Sequence, residues 1–187
     1  MSKNSEVKKY KKELSKFLSN FDFRRYFGQD IDSKILTYTE LEQTNNILDI
    51  LPNEKDYRII LIQSEPNKGH WCSLLRNGNR ILWFDSYGVY PDGQLKFIND
   101  DMNKVLDQDK NEILRLMKTA SSNFTLEYNH HDFQSQSDDV ATCGRWCIWS
   151  ILMNNLDYTL NDMIEFIERW EFETGKPPDI LICDWIF

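Results

Sequence analysis

Cys143 stands where a polar loop gives way to an apolar, Trp-rich stretch, within QSDDVATCGRWC at residues 136–147. A thiol in the first turn of a helix meets unpaired backbone N–H groups and the positive end of the dipole, which favour thiolate. Gly144 carries no Cβ, so a substrate backbone can pass close to the sulfur. Gln136 can bring its amide back over the thiol and donate to a developing oxyanion. Gln134 competes for that place. Asp138 and Asp139 precede the cysteine closely, and negative charge there opposes thiolate unless it faces solvent or substrate.

A base is supplied by a second stretch. Residues 70–76 and 80–86 are apolar-rich runs joined through Asn77–Gly78, the preferred pair for a two-residue type I′ hairpin. With Asn77 and Gly78 as the turn, Arg76 pairs with Asn79 and His70 lies directly opposite Asp85. Directly opposed residues have Cβ atoms about 4.5–5.5 Å apart, within reach of a carboxylate–imidazole hydrogen bond. Asp85 then holds the tautomer of His70 and stabilises its charged form. Cysteine, base and orienter are the parts of a nucleophilic hydrolase.

The elements that must position these groups follow from periodicity. Val7, Tyr10, Leu14, Phe17 and Leu18 give an amphipathic helix over 5–19. Thr39 and Glu42 have the form of a capping box for a helix over 39–50 that stops at Pro52. Residues 57–64 are a β-branched buried strand. In the hairpin, Cys72, Leu74, Ile81 and Trp83 share one face and Trp71, Leu75, Leu82 and Phe84 the other. A sheet apolar on both faces needs helices on both sides. Helical period returns between about Gly93 and Ala120 in two pieces, and Phe124–Tyr128 reads as a strand. Helices follow from Cys143 and over Asn161–Glu173, and an apolar tail runs from Asp179 to Phe187. The expectation is one α+β domain over 1–187, with a central mixed sheet flanked by helices, a basic amphipathic start at 1–20 and a catalytic core at 55–155.

Gly69–His70–Trp71, the FDSYG run at 84–88, and Gln136 followed by Cys143–Gly144 and Cys147 resemble the motifs of the adenovirus-type endopeptidases (adenain). More widely, they are similar to the ubiquitin-like-protein-specific cysteine proteases. The resemblance covers roughly residues 55–155, and the order His, Asp, Gln, Cys is that of this superfamily. It implies a papain-like fold in the adenain-type arrangement, with Cys143 as nucleophile, His70 as base and Asp85 as orienter. It further implies that Gln136 and the Cys143 N–H form the oxyanion hole and that Trp71 and Gly144 wall a substrate slot. The compact form looks most like proteases of double-stranded DNA viruses, virophages included. Such enzymes cleave capsid and core precursors at Gly-containing sites, which places this one in the virion and the infected cell's viral factory. Family members take an activating peptide and DNA. Removal of ubiquitin-like modifiers is the alternative on the same chemistry; an acetyltransferase or a non-catalytic scaffold protein is more distant.

Composition narrows the partners. The formal net charge of −8 argues against a general nucleic-acid coat. Lys3, Lys8, Lys9, Lys11, Lys12 and Lys16 against Glu6 and Glu13 make the first helix the one basic surface where nucleic acid can touch. No apolar run is long enough to span a bilayer. The four cysteines do not form a disulfide framework at this chain length and suit a reducing compartment. Cys72 and Cys147 read as core, and Cys183 has no partner pattern. His130 and His131 with Cys143 and Cys147 do not have the spacing of a zinc knuckle. A monomer with no metal and no cofactor is expected.

Overall fold

The computed structural model describes residues 10–186. Five strands form one sheet in the order β1-β2-β3-β4-β5: β1 (Ile35–Thr37), β2 (Lys55–Glu65), β3 (Lys68–Asn77), β4 (Arg80–Phe84) and β5 (Thr125–Tyr128). The outer pairs β1–β2 and β4–β5 run parallel, and the inner pairs are antiparallel. The fold is therefore mixed α/β, with a mixed sheet flanked by helices.

Alternation along the strands gives each face its own core. Ile59, Leu61, Trp71, Leu75, Leu82 and Phe84 pack under α5 (Cys143–Asn155), α6 (Leu160–Thr174) and α7 (Pro178–Trp185). On the other face, Ile60, Ile62, Cys72, Leu74, Ile81 and Trp83 meet Ile47 and Ile50 of α2 (Ile47–Ile50) and Ile113 and Leu116 of α4 (Glu112–Met117). Every residue of α5 from Cys143 to Ile151 is buried, the pattern of a helix enclosed on all sides.

Three local expectations change. Asn77 pairs with Arg80, so the turn residues are Gly78 and Asn79. Only Gly78 has positive φ (+61°), as in a type II′ turn with glycine first. The pairing slips by two residues from the expected register. An even slip keeps each side chain on its face, so the two apolar faces are unchanged. The helix over 39–50 is broken into a 3₁₀ segment, Thr39–Gln43, and α2. Glu40 accepts from Thr37 instead of Glu42 closing a box on Thr39, and Asn46 with Asp49 forms the capping box that starts α2.

The first helix is also shorter than its periodicity suggests. Residues 10–14 are helical and 16–19 are not; residues 1–9, with Lys3, Lys8 and Lys9, lie outside the described residues. Leu14 and Lys16 turn their carbonyls to Ala141 N–H (2.7 Å) and to Arg145 (3.1 Å), and α1 (Asn20–Phe27) starts only after Ser19. Between Gly93 and Val105 a 3₁₀ segment, Gly93–Phe97, precedes α3 (Asp100–Val105), giving three helical pieces with α4. The apolar tail folds back as α7, with Leu181 and Ile182 buried. No helix of the described residues is long and apolar enough to cross a membrane.

Candidate active site

Gly69 and His70 open β3 beside a β-bulge of β2 between Gln63 and Glu65. A Cβ on Gly69 would stand 2.0 Å from the Ile62 carbonyl oxygen, so only glycine admits this close approach. Gly69→Ala is expected to cost about 1–3 kcal/mol through overpacking and to displace the neighbouring His70. Denaturant melts, with Cys143 alkylation alongside, check both effects.

Asp85 follows the end of β4. Since Ser73 pairs with Phe84, the register carries Asp85 opposite Cys72 and short of His70. The expected direct opposition is corrected, yet the contact forms along the diagonal: His70 Nε2 lies 2.8 Å from Asp85 Oδ1. The same oxygen accepts the Tyr87 N–H at 2.9 Å, and Gly88 N–H donates to the Asp85 carbonyl at 2.9 Å. The Asp85–Gly88 run is thus an Asx-type turn whose carboxylate also grips His70. The Tyr87 ring stacks on the His70 ring, with centroids 4.7 Å apart and planes 18° from parallel.

Cys143 is the first residue of α5 and lines, with His70, Tyr87 and Gln94, a pocket of about 200 Å³. Burial alone raises a thiol, but hydrogen bonding to His70, the imidazolium charge and the N–H groups of Trp71 and Gly144 outweigh it. Cys143 is therefore held below the ordinary thiol range. Burial also opposes charge on His70, yet Asp85 and Cys143 hold it well above an ordinary imidazole. Cys72 is the other neighbour, but burial and the Asp85 charge push its thiol up to about 12, so it is neutral here. Burial likewise drives Cys147 well up and Cys183 to about 11. Nε2 being engaged by Asp85, Nδ1 is the nitrogen left to face the sulfur. Of the four thiols, Cys143 is the one shifted toward thiolate, and it lies beside a histidine shifted toward imidazolium.

The structure does not bring Gln136 into the Cys143 pocket. Gln136 is exposed and lines a neighbouring hollow with Tyr87, Val89, Phe97 and Asp138. Gln134, only 2% exposed, lines the Cys143 pocket together with Gln94. Its amide donates to Tyr87 Oη (3.0 Å) and the Val140 carbonyl (3.1 Å), while its oxygen accepts from Ser86 Oγ (2.8 Å). Gln134 thus ties the Asp85 turn to the loop that delivers Cys143. The path of the 129–142 loop turns Gln134 inward, because Phe133 and Gln134 both anchor their N–H groups on the Ser86 carbonyl. Asp138 and Asp139 are exposed.

Trp71 is nearly buried, edge-on to Phe23, and donates its indole N–H to the Leu18 carbonyl at 2.9 Å. A Cβ on Gly144 would meet Leu18 Cβ at 2.8 Å, so the close neighbour that Gly144 admits is Leu18 of the same chain. Beside them an open groove of about 730 Å³, lined by Phe17, Phe21, Ile35, Leu61, Gly69 and Trp71, adjoins the Cys143 pocket through Phe17 and Gly69.

Asp179 of α7 carries no motif and was invisible in the sequence. Its carboxylate accepts from Ser135 N–H (2.8 Å), Trp146 Nε1–H (3.3 Å) and the Thr142 hydroxyl, the residue that precedes Cys143. Asp179→Ala strands three donors and is expected to cost about 3 kcal/mol, at roughly 1 kcal/mol or more each. A thermal melt checks it. Among the described residues, His70, Cys72 and Asp85 form a group of three possible metal donors within 4.8 Å, but the 2.8 Å His70–Asp85 hydrogen bond already joins two of them. The imagined set of His130 and His131 with Cys143 and Cys147 is not brought together.

The fold and site define a mixed α/β protein with a cysteine, a histidine and an aspartate converging at the start of a buried helix. No family model matches the chain. It is 36% identical over 154 residues to an uncharacterized protein, V9, of the Sputnik virophage, spanning 81% of this chain and 83% of that protein. The chain belongs to the family of that virophage protein.

Proposed function

We propose that this protein is a cysteine endopeptidase of the adenain-type arrangement, which cleaves viral structural precursors at Gly-containing sites. The observation that carries the reading is the shared pocket of Cys143 and His70, with Asp85 bonded behind the imidazole. Cys143 Sγ attacks the scissile carbonyl, forming a C–S bond while the carbonyl electrons move to oxygen. Collapse of that intermediate breaks the C–N bond, and His70 gives its proton to the leaving amine. Water, deprotonated by His70, then hydrolyses the thioester and restores the thiol. The N–H groups at the start of α5 point to where the oxyanion forms, since the first turn of a helix has no preceding carbonyls to take them.

The chain order His70, Asp85, Cys143 on sheet and following helix supports the adenain-type assignment, and the virophage relative supports a virophage origin. The basic N-terminal segment remains the surface proposed for an activating or nucleic-acid partner. The test is incubation of the full chain with the structural precursors of its virus, with new N-termini read by mass spectrometry. Cleavage after Gly-containing sequences, lost in Cys143→Ala, is expected. Cleavage confined to folded ubiquitin-like conjugates reassigns the substrate; processing that persists in Cys143→Ala ends the reading.

A further inference from the structure

Asp85 is fully buried, and three donors converge on its carboxylate. Oδ1 takes His70 Nε2–H at 2.8 Å and Tyr87 N–H at 2.9 Å; Oδ2 takes Gln94 Nε2–H at 2.8 Å. The first two belong to the base and to the turn. The third comes from a separate element, the 3₁₀ segment Gly93–Phe97. That segment is anchored by Asp92, which accepts from the Tyr38 hydroxyl and from Ile113 and Leu114 N–H, both at 2.9 Å.

We infer that Gln94 is a positioning residue: its amide fixes the carboxylate plane of Asp85, and through it the aim of His70 at Cys143. The inference rests on the cysteine-hydrolase reading. With donors on Oδ1 alone, the carboxylate can swing about its last torsion, which is broad and soft. A bond on Oδ2 from a fixed segment removes that freedom. A neutral amide suits the task. Lysine or arginine would compete with His70 for the carboxylate, and an ionised glutamate would repel it. The titratable groups around this point are His70, Cys72, Tyr87 and Cys143. Gln94 is only 8% exposed in the pocket wall, so its amide is spent on Asp85.

The test compares Gln94→Met, Gln94→Glu and His70→Ala in the full chain, by the pH profile of Cys143 alkylation with iodoacetamide. Gln94→Met keeps the volume and loses the donor; alkylation at pH 6 is expected to slow about tenfold, the effect of one hydrogen bond to a charged group. Gln94→Glu donates while protonated and not once ionised, so its deficit is expected to open as pH rises. This gives an internal control for folding at low pH, usable even if the methionine variant does not fold. A Gln94→Met profile that superimposes on the wild type, while His70→Ala moves it, overturns the inference and leaves the hydrolase reading standing. So does a Gln94→Glu deficit that is the same at every pH. If His70→Ala leaves the profile unmoved, the reading itself falls, and the inference with it.

Discussion

Replacing Cys143 by alanine is expected to lower peptide hydrolysis by about six orders of magnitude, the loss seen when a hydrolase nucleophile is removed. The size follows from the absence of a substitute among the other cysteines. Cys72 is fully buried with its thiol pushed up to about 12, and Cys147 is 1% exposed with its thiol driven well up. Neither offers thiolate near neutral pH. Cys143→Ser is expected to fall nearly as far, because a hydroxyl gains little from the imidazolium that holds the native thiolate. Initial rates on a cleaved peptide give the comparison, with thermal melts showing that both variants fold. A residual rate above about one hundredth of wild type would place the nucleophile elsewhere, since removing a general base alone costs about 10²–10⁴.

The second large effect lies in the pH dependence. Cys143 is lowered and His70 raised, and both shifts favour a thiolate–imidazolium pair. Falling pH protonates the thiolate and removes the nucleophile. Rising pH takes the proton from His70, and the leaving amine loses its donor. Peptide hydrolysis is expected to be bell-shaped, whereas alkylation of Cys143, which needs no proton donor, rises and then levels. His70→Ala removes the hydrogen bond and the charge and leaves burial, which pushes the thiol up. At pH 6, alkylation of Cys143 is then expected to drop about tenfold for each unit that its pKa rises. Mass spectrometry of the alkylated peptides reads all four cysteines together. Equal labelling of Cys72 and Cys143 at that pH would contradict the site described above.

Much of the site was legible because its signals are local. Glycine before His70, a carboxylate heading a tight turn, and a cysteine where polar loop becomes apolar helix each follow from short-range chemistry. What failed was register and loop path. The Asn77–Gly78 dipeptide suggested a type I′ turn, but Gly78 N–H is held by the Glu54 carbonyl at 2.7 Å, and pairing of Asn77 with Arg80 follows. The slip was harmless to the faces because it was even, and the His70–Asp85 contact survived on the diagonal. The choice between Gln134 and Gln136 was not harmless. The two glutamines differ by two positions in a loop without repeating structure, and only the anchoring on Ser86 fixes which one turns inward.

The sequence by itself determined the two-faced hairpin, the helix that begins at Cys143 and the residue types of the candidate site, because periodicity, capping and turn chemistry act within a few residues. The tertiary structure alone decided the partners that come from far along the chain. Leu18 lies against Gly144, Asp179 holds the threonine before Cys143, and Gln94 bonds the buried carboxylate behind His70. Such contacts depend on how whole elements pack, and a side chain's reach across that packing leaves no mark on its neighbours in sequence.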